Sequence, residues 1–237
     1  MQFKGIQAMG RKVYNIDLPD KKSIVLDGMQ ADKDYILELL KIIFGMDYNN
    51  SLHGDYNCEE MLRNNAVLQF TGGKLRVEKG AISISGKIPY IHCVYAGNDG
   101  ITSFLISQSV KKLEISTDMT EFSNIIDMSD WTRLIELFNR YAGFKCAYLV
   151  DSSEVGKILQ FDGLTKELET VWLLMSESFL TPTDYLRIVL IPQLSLFSAE
   201  DMFRLIELLD NIHRLEMVIT SAEVDIKPNS VITRVSC

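Results

Sequence analysis

Between Leu186 and Ala222 the alternation of apolar and polar positions is clearest. Leu186 to Ile191 is an apolar run of strand length, Pro192 to Phe197 turns the chain, and Ala199 to Leu215 repeats Met202, Phe203, Ile206, Leu209 and Ile212 at helical spacing. Met217 to Thr220 is a second apolar strand, so the block predicts a βαβ crossover. Ser198 stands at the N-cap position with Asp201 three residues on, a variant of the capping box.

Upstream, Val13 to Leu18 alternates like a half-buried strand, Pro19 to Lys22 turns, and Ser23 to Leu26 is a second short strand, which predicts a hairpin. Asp32 is then the expected N-cap of a helix whose stripe is Tyr35, Ile36, Leu39, Leu40 and Ile43, with Gly45 at its end. Asp47 to Asn57 reads as a loop and Glu59 to Asn64 as a short helix. From Ala66 to Ser116 the pattern becomes six short strand-like runs separated by glycine turns, a β-rich and antiparallel stretch. Ser129 opens a further helix ending at Gly143, followed by a strand over Phe144 to Val150. Leu164 to Phe179 is a strongly amphipathic helix with Trp172 on its apolar stripe, and Val231 to Val235 is a last strand. The expected organisation is a single α/β domain over 1–237, with 66–116 as a β-rich subdomain or insertion within it.

Strand, glycine turn and helix in that order is the setting of a phosphate-binding loop, so the turn after Leu26 invites comparison with GxxxxGK followed by serine or threonine. Gly28 and Lys33 match, but only three residues separate Gly28 from Asp32, which holds the place of the second glycine. Asp34 holds the place of the hydroxyl residue. Two carboxylates there argue against phosphate and for an ordinary capped helix. The strand Leu186 to Ile191 likewise runs into Pro192 and Gln193, without the terminal acid that would hold magnesium.

A chain of 237 residues with 47% apolar composition can bury a sizeable core. Its formal charge of −8 excludes a uniformly basic nucleic-acid binder and leaves room for a local basic surface. Such a surface is sought in the β-rich stretch: Lys74 and Arg76 share a strand face, Lys79 and Lys87 lie at turns, and Lys111 and Lys112 precede the last strand. These cations either protect a sheet edge from aggregation or form a shared face for phosphates. Cys58, Cys93, Cys146 and Cys237 form no CxxC pair and read as reduced buried thiols; His53, His92 and His213 are too scattered for a zinc set. No GxSxG elbow or nucleophile trio is spaced for catalysis, and the acidic pairs Glu59-Glu60 and Glu200-Asp201 lie at helix starts, where they complement the dipole. No apolar run spans the ~20 residues a membrane helix needs, and the expected place of action is the cytoplasm.

Two blocks resemble a known family. One is Tyr14 to Gly45, a strand pair followed at once by a helix of the form YILELLKIIFG. The other runs from Trp131 to Ala222: a helix ending LFNRYAGFK, a strand, a long helix, then LRIVLIPQL, SLFSAED, MFRLIELLDNI and EMVIT. Their order is similar to that of the small accessory spacer-acquisition (adaptation) protein family of type II-A CRISPR-Cas systems, the ring-forming Csn-type protein. The resemblance implies a degenerate P-loop-like (ABC-ATPase-like) core sheet with flanking helices, no catalysis and no nucleotide. It also implies a homo-tetrameric ring around double-stranded DNA ends, calcium stabilising the ring, and partners among the CRISPR integrase proteins and effector nuclease. The middle departs from the family, which carries long helices where Ala66 to Ser116 is β-rich; no calcium ligand is carried over, and the six cations rest on charge placement alone. The leading expectation is a non-enzymatic duplex-DNA-binding protein in CRISPR adaptation. A structural or protein-interaction module is the alternative, and an atypical nucleotide-binding ATPase around Gly28 and Lys33 the third.

Overall fold

The computed structural model describes residues 2–19, 23–45, 52–53, 56–57, 61, 64–79, 81–98, 100–106, 112–114, 147–149, 159–161, 166–180, 185–211, 217–224 and 232–237. In chain order the elements are β1 (Phe3–Met9), β2 (Val13–Asp17), β3 (Ser23–Asp27), α1 (Gln30–Gly45), β4 (Leu52–His53), β5 (Tyr56–Asn57), β6 (Ala66–Phe70), β7 (Gly73–Glu78) and β8 (Ala81–Gly86). They continue with β9 (Tyr90–Gly97), β10 (Gly100–Ile106), β11 (Lys112–Glu114), β12 (Ala147–Leu149), β13 (Leu159–Phe161), α2 (Lys166–Leu180), β14 (Tyr185–Ile191), α3 (Ala199–Asp210), β15 (Met217–Thr220) and β16 (Ile232–Ser236).

A seven-stranded sheet in the order β11-β10-β9-β14-β15-β3-β16 forms the centre. Its strands from β9 through β16 are parallel, and β10 and β11 extend it antiparallel. Both faces of these strands are covered, which is why they read as unbroken apolar runs. Leu186, Ile188 and Leu190 of β14 join one core with Ile24 and Leu26 of β3; Val189 and Ile191 join the other with Val25. On the first face α1 lies between the central sheet and an antiparallel five-stranded sheet, β2-β1-β6-β7-β8, whose Ile6, Tyr14, Ile16, Leu68 and Leu75 point at the helix. On the second, α2 and α3 pack Val171, Trp172, Met175, Met202, Phe203 and Leu209 against the sheet. The crossover β14-α3-β15 is present as expected, and Ser198 caps α3 by accepting a hydrogen bond from the Asp201 amide at 3.2 Å.

Several expectations are corrected. β2 and β3 do not form a hairpin: β2 pairs with β1, a strand not foreseen, while β3 lies parallel between β15 and β16 in the other sheet. The sequence itself differs in the required way, since VYNID alternates and SIVL does not, and only a strand buried on both faces is served by the latter. α1 begins at Gln30, so Asp32 lies inside the first turn instead of capping it. α3 stops at Asp210, where Asn211 turns its amide back to the carbonyls of Leu208 and Leu209, short of Leu215. The loop expected over Asp47 to Asn57 contains the paired strands β4 and β5. The stretch 66–116 is divided, β6 to β8 belonging to the five-stranded sheet and β9 to β11 to the central one. β9 is antiparallel to β10 but parallel to β14. The helix expected from Ser129 to Gly143 lies outside the described residues, as does most of the one over Glu59 to Asn64.

Candidate functional site

In open parallel sheets, ligands settle beyond the carboxyl ends of the strands. There the chain has a cleft of about 460 Å³ lined by Val25, Leu26, Asp27, Gly28, Lys33, Ala199, Ala222, Glu223, Val224 and Arg234. β3, β15 and β16 converge on it, with the first turns of α1 and α3 at its sides. Gly28 makes the sharp exit from β3 at φ 141°, a conformation open to glycine. A Cβ there would also approach the Cys237 carbonyl oxygen at 3.1 Å.

This junction lacks the geometry of a phosphate loop. Only Gly28 and Met29 separate β3 from α1, and the amides of Asp32 and Lys33 are already bonded to the Met29 carbonyl at 2.9 and 3.1 Å. A phosphate cradle needs such amides free. Asp32 occupies the first turn, where its charge complements the helix dipole. Its Oδ1 accepts from the buried Tyr14 hydroxyl at 2.7 Å, and Lys12 Nζ lies 2.8 Å from its other oxygen. The Lys12 hydrogen bond first, then that of Tyr14, hold its carboxyl below the usual range, while burial and Asp32 push the Tyr14 phenol up.

Asp34 is equally engaged, accepting from Gln30 Nε2 at 2.7 Å and from Ser221 Oγ at 2.8 Å. Neither carboxylate lines the cleft. Lys33 does, and as a whole residue it is 6% exposed. Arg234 Nη1 sits 3.5 Å from Asp27 Oδ1, and its Nη2 donates to the Val224 carbonyl at 3.0 Å. At the end of β14 no acid is presented: the Ile191 carbonyl accepts from Thr220 Oγ1 at 2.6 Å and from the Ser221 amide at 3.2 Å, tying this strand end to β15.

The six cations singled out in the sequence are not all in one place. Lys74 and Arg76 are exposed on the outer face of the five-stranded sheet, opposite Ser85 and Ser83 of β8. Lys79 and Lys87 are exposed at opposite ends of the β7-β8 pair, the six residues of β7 spanning about 20 Å between them. Lys79 is held at φ 51°, in the left-handed region. Lys112 belongs to β11, at the edge of the central sheet, and Lys111 lies outside the described residues. Sequence reasoning singled out Gly28 and Lys33 from their spacing, and the two acidic neighbours of Lys33 set the reading against phosphate. Their long-range partners, Lys12, Tyr14 and Ser221, left no local signal.

Among the described residues no three His, Cys, Asp or Glu come together as a metal site, so the calcium implied by the resemblance has no such cluster there. Cys93 is a free, buried thiol whose pKa burial raises; Cys237 is free and half-buried; Cys58 and Cys146 lie outside the described residues. Among the described residues no helix is long and apolar enough to cross a membrane.

No family model matches the chain, and no curated protein is similar to it in sequence. Among solved structures it is similar to an SMC head bound to the C-winged helix domain of ScpA, with 10% identity over 95% of this chain and 91% of that one, at a TM-score of 0.50. It also matches the SMC head domain from Thermotoga maritima, with 13% identity over 99% and 98% of the two chains, at a TM-score of 0.42. At such identities the likeness is one of fold: a mixed α/β chain arranged as in SMC heads.

Proposed function

We propose that this chain is a non-catalytic, oligomeric protein that binds duplex DNA in CRISPR adaptation, built on a P-loop-type α/β core whose nucleotide loop has degenerated. One observation carries the reading. The β3-α1 junction is two residues long and its following amides are bonded within the helix, so the polyphosphate cradle that hydrolysis requires is not formed. The absence of an acid at the end of β14 agrees with it. A core of this type without its nucleotide chemistry is left to act by binding.

For DNA the supporting feature is the outer face of β7 and β8. Lys74, Arg76, Ser83 and Ser85 combine cations with hydroxyls, the side-chain types that contact phosphates. Lys79 and Lys87 extend the face by about 20 Å, roughly the rise of six base pairs. A lysine kept at φ 51°, where glycine costs less, is consistent with selection for its charge. The family resemblance extends the proposal to a cytoplasmic homo-tetrameric ring on DNA ends, calcium-stabilised and working with the integrase proteins and effector nuclease.

A gel-shift titration with linear duplex at low and moderate salt, with calcium or chelator, tests the reading. Affinity is expected to fall steeply with salt and to show little sequence preference. Absence of binding under all these conditions would replace it with a protein-interaction module, a role the neighbour bound to a winged-helix domain of ScpA illustrates for its fold.

A further inference from the structure

The five-stranded sheet has an open edge at β8. Of the four edges of the two large sheets, β2 carries Asp17, β16 carries Arg234, and β11 carries Lys112 and Glu114. β8, the six residues AISISG, has neither a charge nor a proline, the devices that keep an exposed strand from pairing. It runs against β7 without a bulge, and among the described residues no strand lies on its other side. One bond fixes the direction of its free groups. The Lys87 amide donates to the Gly72 carbonyl at 2.9 Å, so in this register Ser85 and Ser83 also bond to β7, while Ile84 and Ile82 turn their N–H and C=O groups to the open side. Both isoleucine side chains pack on the core beneath the sheet yet are only half-buried, which leaves an apolar flank along the edge.

The surroundings of this edge are cationic. Lys79 and Lys87 stand at its two ends, and Arg76 and Lys74 lie one strand in, behind Ser83 and Ser85, which are short enough for long side chains to reach across. Glu78 is the one acid of β7. A second copy fits this edge poorly, because antiparallel pairing about Ser83 would bring Lys79 of each chain opposite Lys87 of the other. We infer that β8 is a docking edge for an extended acidic segment of a partner protein, which joins the sheet as a sixth, antiparallel strand. Main-chain bonds to Ile82 and Ile84 hold it, its inward apolar side chains cover the flank of those two, and its outward carboxylates meet the cations. Such a segment would compete with duplex DNA for the same cations, and the inference stands without the DNA reading.

Fluorescence anisotropy of the labelled peptide Glu-Val-Glu-Val-Glu-Val-Glu, titrated with the full chain at low salt, tests it. Saturable binding is expected, and the same peptide with lysine for every glutamate should bind at least about tenfold more weakly. N-methylation of the central valine, whose N–H would face β8, should weaken binding by about tenfold, whereas N-methylation of the glutamate beside it, whose N–H faces away, should change it by less than about twofold. Ile84→Pro removes an outward N–H and no bond to β7, so it should lose the peptide while circular dichroism shows the fold retained. Should that variant not fold, the two methylated peptides decide on the wild type. No binding, binding that ignores both methylations, or equal binding of the lysine peptide would overturn the inference. Concentration-dependent dimers in sedimentation that Ile84→Pro dissolves would assign the edge to a second copy and overturn it as well.

Discussion

Replacing Asp32 by alanine should destabilise the chain far more than the loss of an ordinary first-turn acid. The Tyr14 hydroxyl, on a side chain only 2% exposed, donates to this carboxylate at 2.7 Å and would be left without an acceptor, a cost of about 1 to 3 kcal/mol. Loss of the charge from the first turn of α1 adds about 0.3 to 1 kcal/mol. Lys12 is 45% exposed and regains water, so its ion pair contributes at most about 1 kcal/mol. The sum is about 3 kcal/mol, or a fall in Tm of roughly 6 to 12 °C for a domain of this size. Urea denaturation followed by circular dichroism measures it. In a double-mutant cycle with Tyr14→Phe the two losses should fall short of additivity by about 1 kcal/mol or more. Acid provides a second check. Asp32 has its folded pKa below the ordinary value of 3.8, so its contribution is complete above that value and is lost as pH falls through the lower one. The gap between wild type and Asp32→Ala should therefore be constant near neutrality and narrow below about pH 4, where the protonated carboxyl loses its charge interactions but still accepts from Tyr14. A loss under about 1 kcal/mol near neutrality, or a gap that does not narrow in acid, would refute the assigned role of this carboxylate.

Three further outcomes follow from named contacts. Lys74→Glu with Arg76→Glu should weaken duplex binding across sequences and reduce the slope of log affinity against log salt by about 2; an unchanged slope removes that face from the interface. Lys79→Gly should raise stability by about 1 kcal/mol, because the residue sits at φ 51°, while lowering DNA affinity; a gain in both would leave its charge without a role. Ser198→Ala should cost about 1 kcal/mol through loss of the cap on Asp201, read in the same urea assay; no loss would mean water replaces the hydroxyl.

The crossover β14-α3-β15 was legible because both its code and its context are local: a run buried on both faces, a capped amphipathic helix, a second such run. The same rule, applied consistently, separates β3 from β2, for Ser23 to Leu26 has no polar alternate positions to face solvent. The gap of a few residues after Asp17 suggested a hairpin only because sequence proximity was weighed above burial. β1 was harder to see, since FKGIQAM carries Gly5 and Ala8 where larger apolar residues would mark a strand. At the cleft, Gly28 and Lys33 stood out from their spacing alone. What decides their chemistry is which carboxylates are occupied, and Lys12, Tyr14 and Ser221 reach Asp32 and Asp34 across separations that no local pattern encodes. Lys74 and Arg76 lie on a strand and Lys79 and Lys87 at the ends of the β7-β8 pair, as expected, whereas Lys112 falls inside β11 and Lys111 lies outside the described residues; the division of the stretch between two sheets depends on pairings of β6 with β1 and β9 with β14.

The most direct test of the central claim is competition between linear duplex and covalently closed circular DNA of one sequence for the purified protein, at low and moderate salt and without nucleotide. Salt-sensitive binding to the linear form that closed circles compete for poorly is the expected result of a ring loading on ends. Failure to bind either form, or binding that appears only when nucleotide is hydrolysed, would contradict it.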